Sequence, residues 1–145
     1  MIKRILLTHA AVTLFLVGLI WTIQVVHYPL FSSVGVDEYI RFQAGHQWRI
    51  TVIVLPPMVL ELTLAVALVW LRPNQIPFPQ LLIGLGLVGL IWIVTLFVSS
   101  PQHSILDRGF DATAHRMLVD TNWIRTLAWT ARGWLAFAWL ARLMS

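Results

Sequence analysis

Residues 50–71 read Ile50-Thr51-Val52-Ile53-Val54-Leu55-Pro56-Pro57-Met58-Val59-Leu60-Glu61-Leu62-Thr63-Leu64-Ala65-Val66-Ala67-Leu68-Val69-Trp70-Leu71. One charge, Glu61, interrupts an apolar run as long as the ~20 residues a helix needs to cross ~30 Å of hydrocarbon. Three further runs of similar character surround it: Ile5 to Val26, Leu81 to Val98 and Trp123 to Leu140. In lipid each must be helical, because only a helix pairs every backbone N–H and C=O within one segment. The expectation is an all-α, integral membrane four-helix bundle in a single domain, residues 1–145, with spans at about 5–27, 47–71, 79–99 and 118–141.

Composition agrees. The 145 residues are 59% hydrophobic and 11% charged, with mean hydropathy +0.80. A soluble domain carries roughly 25% charged residues; this chain has too little polar surface to cover a globule in water. The net charge of +4 does not indicate nucleic acid, since the basic residues are dispersed at the ends of apolar spans, as membrane boundaries favour. There is no cysteine, which excludes disulfides and thiolate chemistry. The first apolar run is too long for a leader and lacks a small-residue cleavage site before His27, so it reads as a span.

The linker Arg72-Pro73-Asn74-Gln75-Ile76-Pro77-Phe78-Pro79 is a stiff hairpin turn. Two longer loops, Tyr28–Gly45 and Ser99–Leu118, are expected together on the opposite side, the first holding a short surface helix over Asp37–Phe42. Lys3 and Arg4 precede the first span, which favours both termini in the cytoplasm of a bacterial inner membrane. Gly84-Leu85-Gly86-Leu87-Val88-Gly89 matches a dinucleotide-binding pattern but lies inside a span, with no strand before it; close helix packing through small residues accounts for it. Of the eight tryptophans, Trp48, Trp70, Trp123 and Trp139 suit an interfacial belt, while Trp21, Trp92, Trp129 and Trp134 lie deeper.

Ionisable residues inside hydrocarbon are costly and mark function. Glu61 lies 11 residues from Arg72, and Arg132 lies 10 residues from Arg142. At 1.5 Å per residue both are about 15 Å deep, so the two opposite charges are expected to pair across the bundle, either as structural glue or as the heart of a site. Asn122, Arg125, Trp129 and Arg132 make one continuous helix face that must look inward. Gln24 is level with Asn122 and Arg125 and shares a face with His27; His46 and Arg49 share another. With His103 and His115, four of the five histidines fall at the long-loop end, while His9 reads as interfacial at the other. Such histidines, with a carboxylate, are candidate ligands for Fe, Cu or Zn, or two could clamp a haem. There is no HxxxH or ExxH pair, so every ligand would come from a separate element, and a satisfied polar network is the favoured reading.

His27-Tyr28-Pro29-Leu30-Phe31, His46 to Arg49, Pro56-Pro57-Met58 with Glu61, and Thr121-Asn122-Trp123-Ile124-Arg125-Thr126 together resemble a little-characterised bacterial group of small four-helix membrane proteins. That group is distantly similar to the anthrone-oxygenase-like family, whose fungal members oxygenate polycyclic aromatic anthrones. The resemblance implies a four-helix bundle and oxidation of an apolar substrate; it carries over no metal and no catalytic residue.

Three functional expectations follow. The first is a membrane oxidoreductase or oxygenase fed from lipid by an apolar small molecule. In it Glu61, Asn122, Arg125 and Arg132 are catalytic, Gln24 and Arg49 bind a cofactor, and His27, His46, His103 and His115 bind metal or act as bases. The second is a non-catalytic subunit of a larger membrane complex or homo-oligomer. The third, a carrier for protons or a small anion, suits four helices least.

Overall fold

A computed structural model describes residues 1–144. Among these the fold is all-helical, with four long helical rods and no strand. The first rod is α1 (Ile2–Thr22), which widens into a π-helical turn (Ile23–His27) and ends in a 3-10 turn (Pro29–Ser33). The second is α2 (Val36–Leu71). The third is α3 (Phe78–Val94), a second π-helical turn (Thr95–Ser99) and the short α4 (Ser100–Leu106). The fourth is α5 (Ala112–Met144).

Local chemistry explains the ends. Asp37 and Glu38 occupy the first turn of α2, where carboxylates complement the helix dipole. The turn after α2 opens with Arg72 in a left-handed conformation (φ 45°); its N–H closes on the Leu68 carbonyl at 3.0 Å and its guanidinium lies over the Phe78 ring at 4.3 Å. The link from α4 to α5 turns at Gly109, whose φ of 139° suits a residue without a Cβ. Asp111 then caps α5, its Oδ1 accepting from the Ala114 N–H at 2.7 Å.

Two expectations are corrected here. The surface helix over 37–42 is not separate: α2 runs unbroken for 36 residues, about 54 Å at 1.5 Å per residue, longer than a ~30 Å hydrocarbon layer is thick. Most of the second long loop is also helical, as α4 and the start of α5. Pro56 and Pro57 sit inside α2 without ending it. Pro56 is exposed and Pro57 half-buried, so their rings meet little protein.

Three of the rods are long and apolar enough to cross a membrane. The fourth, α5, is not, because it carries Arg116, Asp120, Arg125, Arg132 and Arg142. The physical reason is the direction in which these side chains point. Arg125 and Arg132 are buried, while α5 turns Ile124, Leu127, Trp134 and Phe137 outward. It packs along α1 and α3 more extensively than any other pairing of rods, and so lies at their depth. Two apolar clusters fill the bundle. One is centred on Leu16, Ile20, Phe31 and Trp129, the other on Leu6, Leu68, Leu81 and Trp139 near the termini. A polar layer lies between them.

Candidate functional site

That layer is built around Glu61, which is 1% exposed. Its Oε1 accepts from Arg132 Nε at 2.8 Å and from Thr13 Oγ1 at 2.9 Å, and its Oε2 accepts from Trp129 Nε1 at 3.0 Å. Arg132, also 1% exposed, donates to the Gly84 carbonyl and, at 3.0 Å, to His9 Nε2. All four rods meet here, and the cross-bundle ion pair expected from depth alone is present. His9 is corrected: it is buried in this mid-bundle layer, one turn from Thr13 on the same face of α1. Gly84 also finds its reason. A Cβ there would lie 3.1 Å from Trp139 Cη2 and 3.7 Å from Arg132 Nη1, whereas Gly86 and Gly89 face open space. Close packing thus explains only the first glycine of that motif.

The second polar layer lies at the two π-helical turns. Such turns insert an extra residue and re-aim side chains, frequently at functional sites. Here they direct Gln24 and Thr95 at α5, with Tyr28 just after the first turn and Ser99, which lines the cavity, at the end of the second. Asn122 Nδ2 donates to Gln24 Oε1 at 2.7 Å, and Gln24 Nε2 donates to the Val119 carbonyl at 3.2 Å. Arg125 Nε donates to Asn122 Oδ1 at 2.9 Å, and Nη2 bonds the same oxygen. Nη2 also donates to the Tyr28 hydroxyl at 3.2 Å and Nη1 to Thr95 Oγ1 at 3.3 Å. The Tyr28 hydroxyl lies 3.1 Å from His103 Nε2, and Gln43 Nε2 donates to His103 Nδ1 at 3.1 Å. Arg125 is only 6% exposed, yet among the described residues no carboxylate lies within ion-pair distance of it.

Beside this layer is a cavity of about 230 Å³. Thr51, Leu55, Leu96 and Ser100, all exposed, form its mouth between α2 and the end of α3; Leu16, Ile20, Met58 and Trp129, all buried, form its apolar wall. Tyr28, Ser99, His103 and Arg125 form its polar floor. The Pro56-Pro57 region contributes through its neighbours Val54, Leu55 and Met58.

The four histidines proposed as ligands do converge on one end. His27 Nε2 lies 2.8 Å from His46 Nδ1, the His46 and His103 rings are 5.5 Å apart, and His115 Nε2 donates to the Tyr28 carbonyl at 2.8 Å. They share no common centre. His103 has both nitrogens engaged, His115 turns to backbone, and His27 and His46 bond directly with no room for a haem iron between them. Among the described residues no group of three or more histidine or acidic side chains is arranged to hold a metal, so a metal or haem has no geometric support.

Of the other expected site residues, Gln24, Asn122 and Arg125 are brought together, and Glu61 with Arg132 forms the deeper layer. Arg49 joins neither. It is exposed, donates to the Gly45 carbonyl at 3.2 Å, and borders a separate notch of about 370 Å³ with His27, Arg41 and His46. Its long side chain sits outside the α1–α5 seam that gathers the others. Tyr28, Gln43, Thr95 and Ser99 were missed as site residues. Gln43 had a signal, since it lies three residues before His46 on one helix face. Tyr28 and Ser99 depend on the π-helical turns, which have no sequence signature. Compared with protein-family models, curated proteins and solved structures, the chain matches none.

Proposed function

We propose that this chain is a membrane-embedded enzyme that takes an apolar small molecule laterally from lipid, through the gap between α2 and α3, and performs acid–base chemistry on an oxygen-bearing group of it. The observation that carries this reading is an apolar cavity ending on a buried guanidinium with no acidic partner, beside a tyrosine–histidine pair. Arg125 stabilises negative charge developing on the substrate oxygen, a role worth most where water is excluded. The Tyr28 O–H, its oxygen held by His103 and Arg125, is the group that gives a proton to the substrate, and Gln43 fixes the imidazole. Asn122 and Gln24 position Arg125. Glu61 and Arg132 lock helix register and take no part in the chemistry. Oxygenation of an anion so held is the step that the resemblance to the anthrone-oxygenase-like group implies. The setting is a bacterial cytoplasmic membrane, with both termini on the cytoplasmic side by the placement of Lys3 and Arg4.

The test is oxygen consumption by the chain in vesicles supplied with a tricyclic hydroxyaromatic of the anthrone class. Tyr28→Phe and Arg125→Gln are each expected to lower the rate at least ~10²-fold, the scale of one general acid or one oxyanion donor. Turnover untouched by both substitutions would refute the reading. A second reading, a non-catalytic subunit of a membrane complex, is favoured by the charge-balanced Glu61–Arg132 layer. Resting on the cancelled charge of that layer alone, since His9 Nδ1 in it is unpartnered, it predicts copurification with a defined partner and no turnover.

A further inference from the structure

Counting hydrogens at the cavity floor narrows what can sit there. A ring that accepts at Nδ1 carries its hydrogen on Nε2. Gln43 Nε2 donates to His103 Nδ1, so His103 Nε2–H points at the Tyr28 oxygen. That oxygen also accepts from Arg125 Nη2. Both its lone pairs are therefore taken, and its own O–H is left for something else. Among the guanidinium donors, Nε and both hydrogens of Nη2 are committed to Asn122 and Tyr28, and one hydrogen of Nη1 to Thr95. The other Nη1 hydrogen has no protein partner. Ser99 Oγ is the third such group: it is 1% exposed, lines the cavity and has no hydrogen-bond partner.

Two donors and the Ser99 hydroxyl, which is free to donate as well, thus converge on the floor of an apolar pocket next to an unneutralised positive charge, and the Tyr28 oxygen there has no lone pair to offer. Leaving such groups unpaired in a buried site is costly. A neutral hydroxyl or amide presents hydrogens of its own to this floor. A carboxylate, enolate or phenolate presents only lone pairs and supplies the missing charge.

We infer that the cavity selects an apolar molecule bearing a single anionic oxygen head group, held by Arg125 Nη1, the Tyr28 O–H and Ser99 Oγ. This rests on the reading of the cavity as a lipid-fed substrate site, and the experiment separates the two. The probes are 2-naphthoate and 2-acetylnaphthalene, which share a ring system and a carbonyl and differ by one charge. Each is measured by equilibrium dialysis of the detergent-solubilised chain against empty micelles, near neutral pH where the acid is ionised. Wild type is expected to bind naphthoate saturably and about tenfold or more tighter than the ketone, the scale of one charge-assisted hydrogen bond. Arg125→Gln is expected to bring the two affinities within roughly twofold. Ser99→Ala, which removes a hydroxyl that bonds nothing in the protein, is expected to weaken naphthoate a few-fold and leave the ketone unchanged, and it carries the test where Arg125→Gln loses its fold. Equal affinities in wild type, or a preference that survives both substitutions, overturns the anion assignment while the cavity reading stands. Saturable binding of neither probe overturns the cavity reading and the anion assignment with it.

Discussion

Replacing Glu61 by glutamine keeps the shape of the mid-bundle layer and removes its charge, and the loss can be worked out atom by atom. The carboxylate accepts three donors: Arg132 Nε at 2.8 Å, Thr13 Oγ1 at 2.9 Å and Trp129 Nε1 at 3.0 Å. An amide offers one oxygen and an NH₂. With its oxygen toward Arg132 and Thr13, the NH₂ meets the Trp129 N–H, donor against donor; with the amide turned over, the NH₂ faces the guanidinium. Either way one buried donor loses its partner and Arg132 loses its counter-charge. Breaking a buried ion pair by removing one partner costs about 3–5 kcal/mol, and the Glu61 side chain is only 2% exposed, so solvent does little to soften this. The assay is equilibrium unfolding in mixed micelles by a denaturing detergent, for wild type, Glu61→Gln, Arg132→Met and the double variant. Each single change is expected to cost about 3 kcal/mol or more, and the double less than their sum by about 2 kcal/mol, a coupling typical of direct partners. A Glu61→Gln protein within about 0.5 kcal/mol of wild type would show that the pair bears no stability and refute the register-lock assignment.

Gly84→Ala places a methyl 3.1 Å from the Trp139 ring and is expected to lower unfolding stability by about 1–3 kcal/mol. Gly86→Ala and Gly89→Ala, in open space, are expected to be neutral or to stabilise by up to about 1 kcal/mol, as helix propensity dictates; the same unfolding assay checks all three. Asn122→Ala strips Arg125 of its main acceptor and Gln24 Oε1 of its closest donor, and is expected to cost about 1–3 kcal/mol and to weaken naphthoate in the dialysis assay. Val54→Trp, at a half-buried position lining the cavity, is expected to abolish probe binding while helical content by circular dichroism stays at the wild-type level.

Three of the rods were legible because hydrocarbon allows a single solution, so apolar run length locates them; the fourth is interrupted by charges and is legible only with its inward polar stripe taken into account. The Glu61–Arg132 contact was legible for a related reason. Depth in a membrane is a one-dimensional coordinate, and counting from Arg72 and Arg142 fixes both residues on it. The inward stripe of α5 followed from helical period. What could not be read is where the backbone departs from that period. The π-helical turns at Ile23–His27 and Thr95–Ser99 rotate everything beyond them, and so decide that Tyr28 and Ser99 reach the cavity. His9 was misplaced because depth alone does not say which way a side chain faces. The histidines were located correctly as a group, but whether they share a metal or pair with amides and hydroxyls turns on distances of an ångström.

The two polar layers differ in charge balance, and that difference supports the roles proposed for them. In the Glu61 layer the carboxylate meets three donors and the charges cancel within one ion pair, with His9 Nδ1 left unpartnered. A layer whose charge is cancelled offers an anion little, which fits the register role proposed for it. In the Arg125 layer the charge is not cancelled, Ser99 Oγ is unpartnered and the Tyr28 hydrogen is uncommitted. Buried polar groups are satisfied almost everywhere in native proteins, so an uncancelled charge with uncommitted donors beside a cavity is an arrangement that an anionic ligand suits. Trp129 joins the layers, donating to Glu61 on one side and lining the cavity on the other. The rigid layer therefore fixes one wall of the cavity, and loosening it through Glu61 reaches the site by way of that indole.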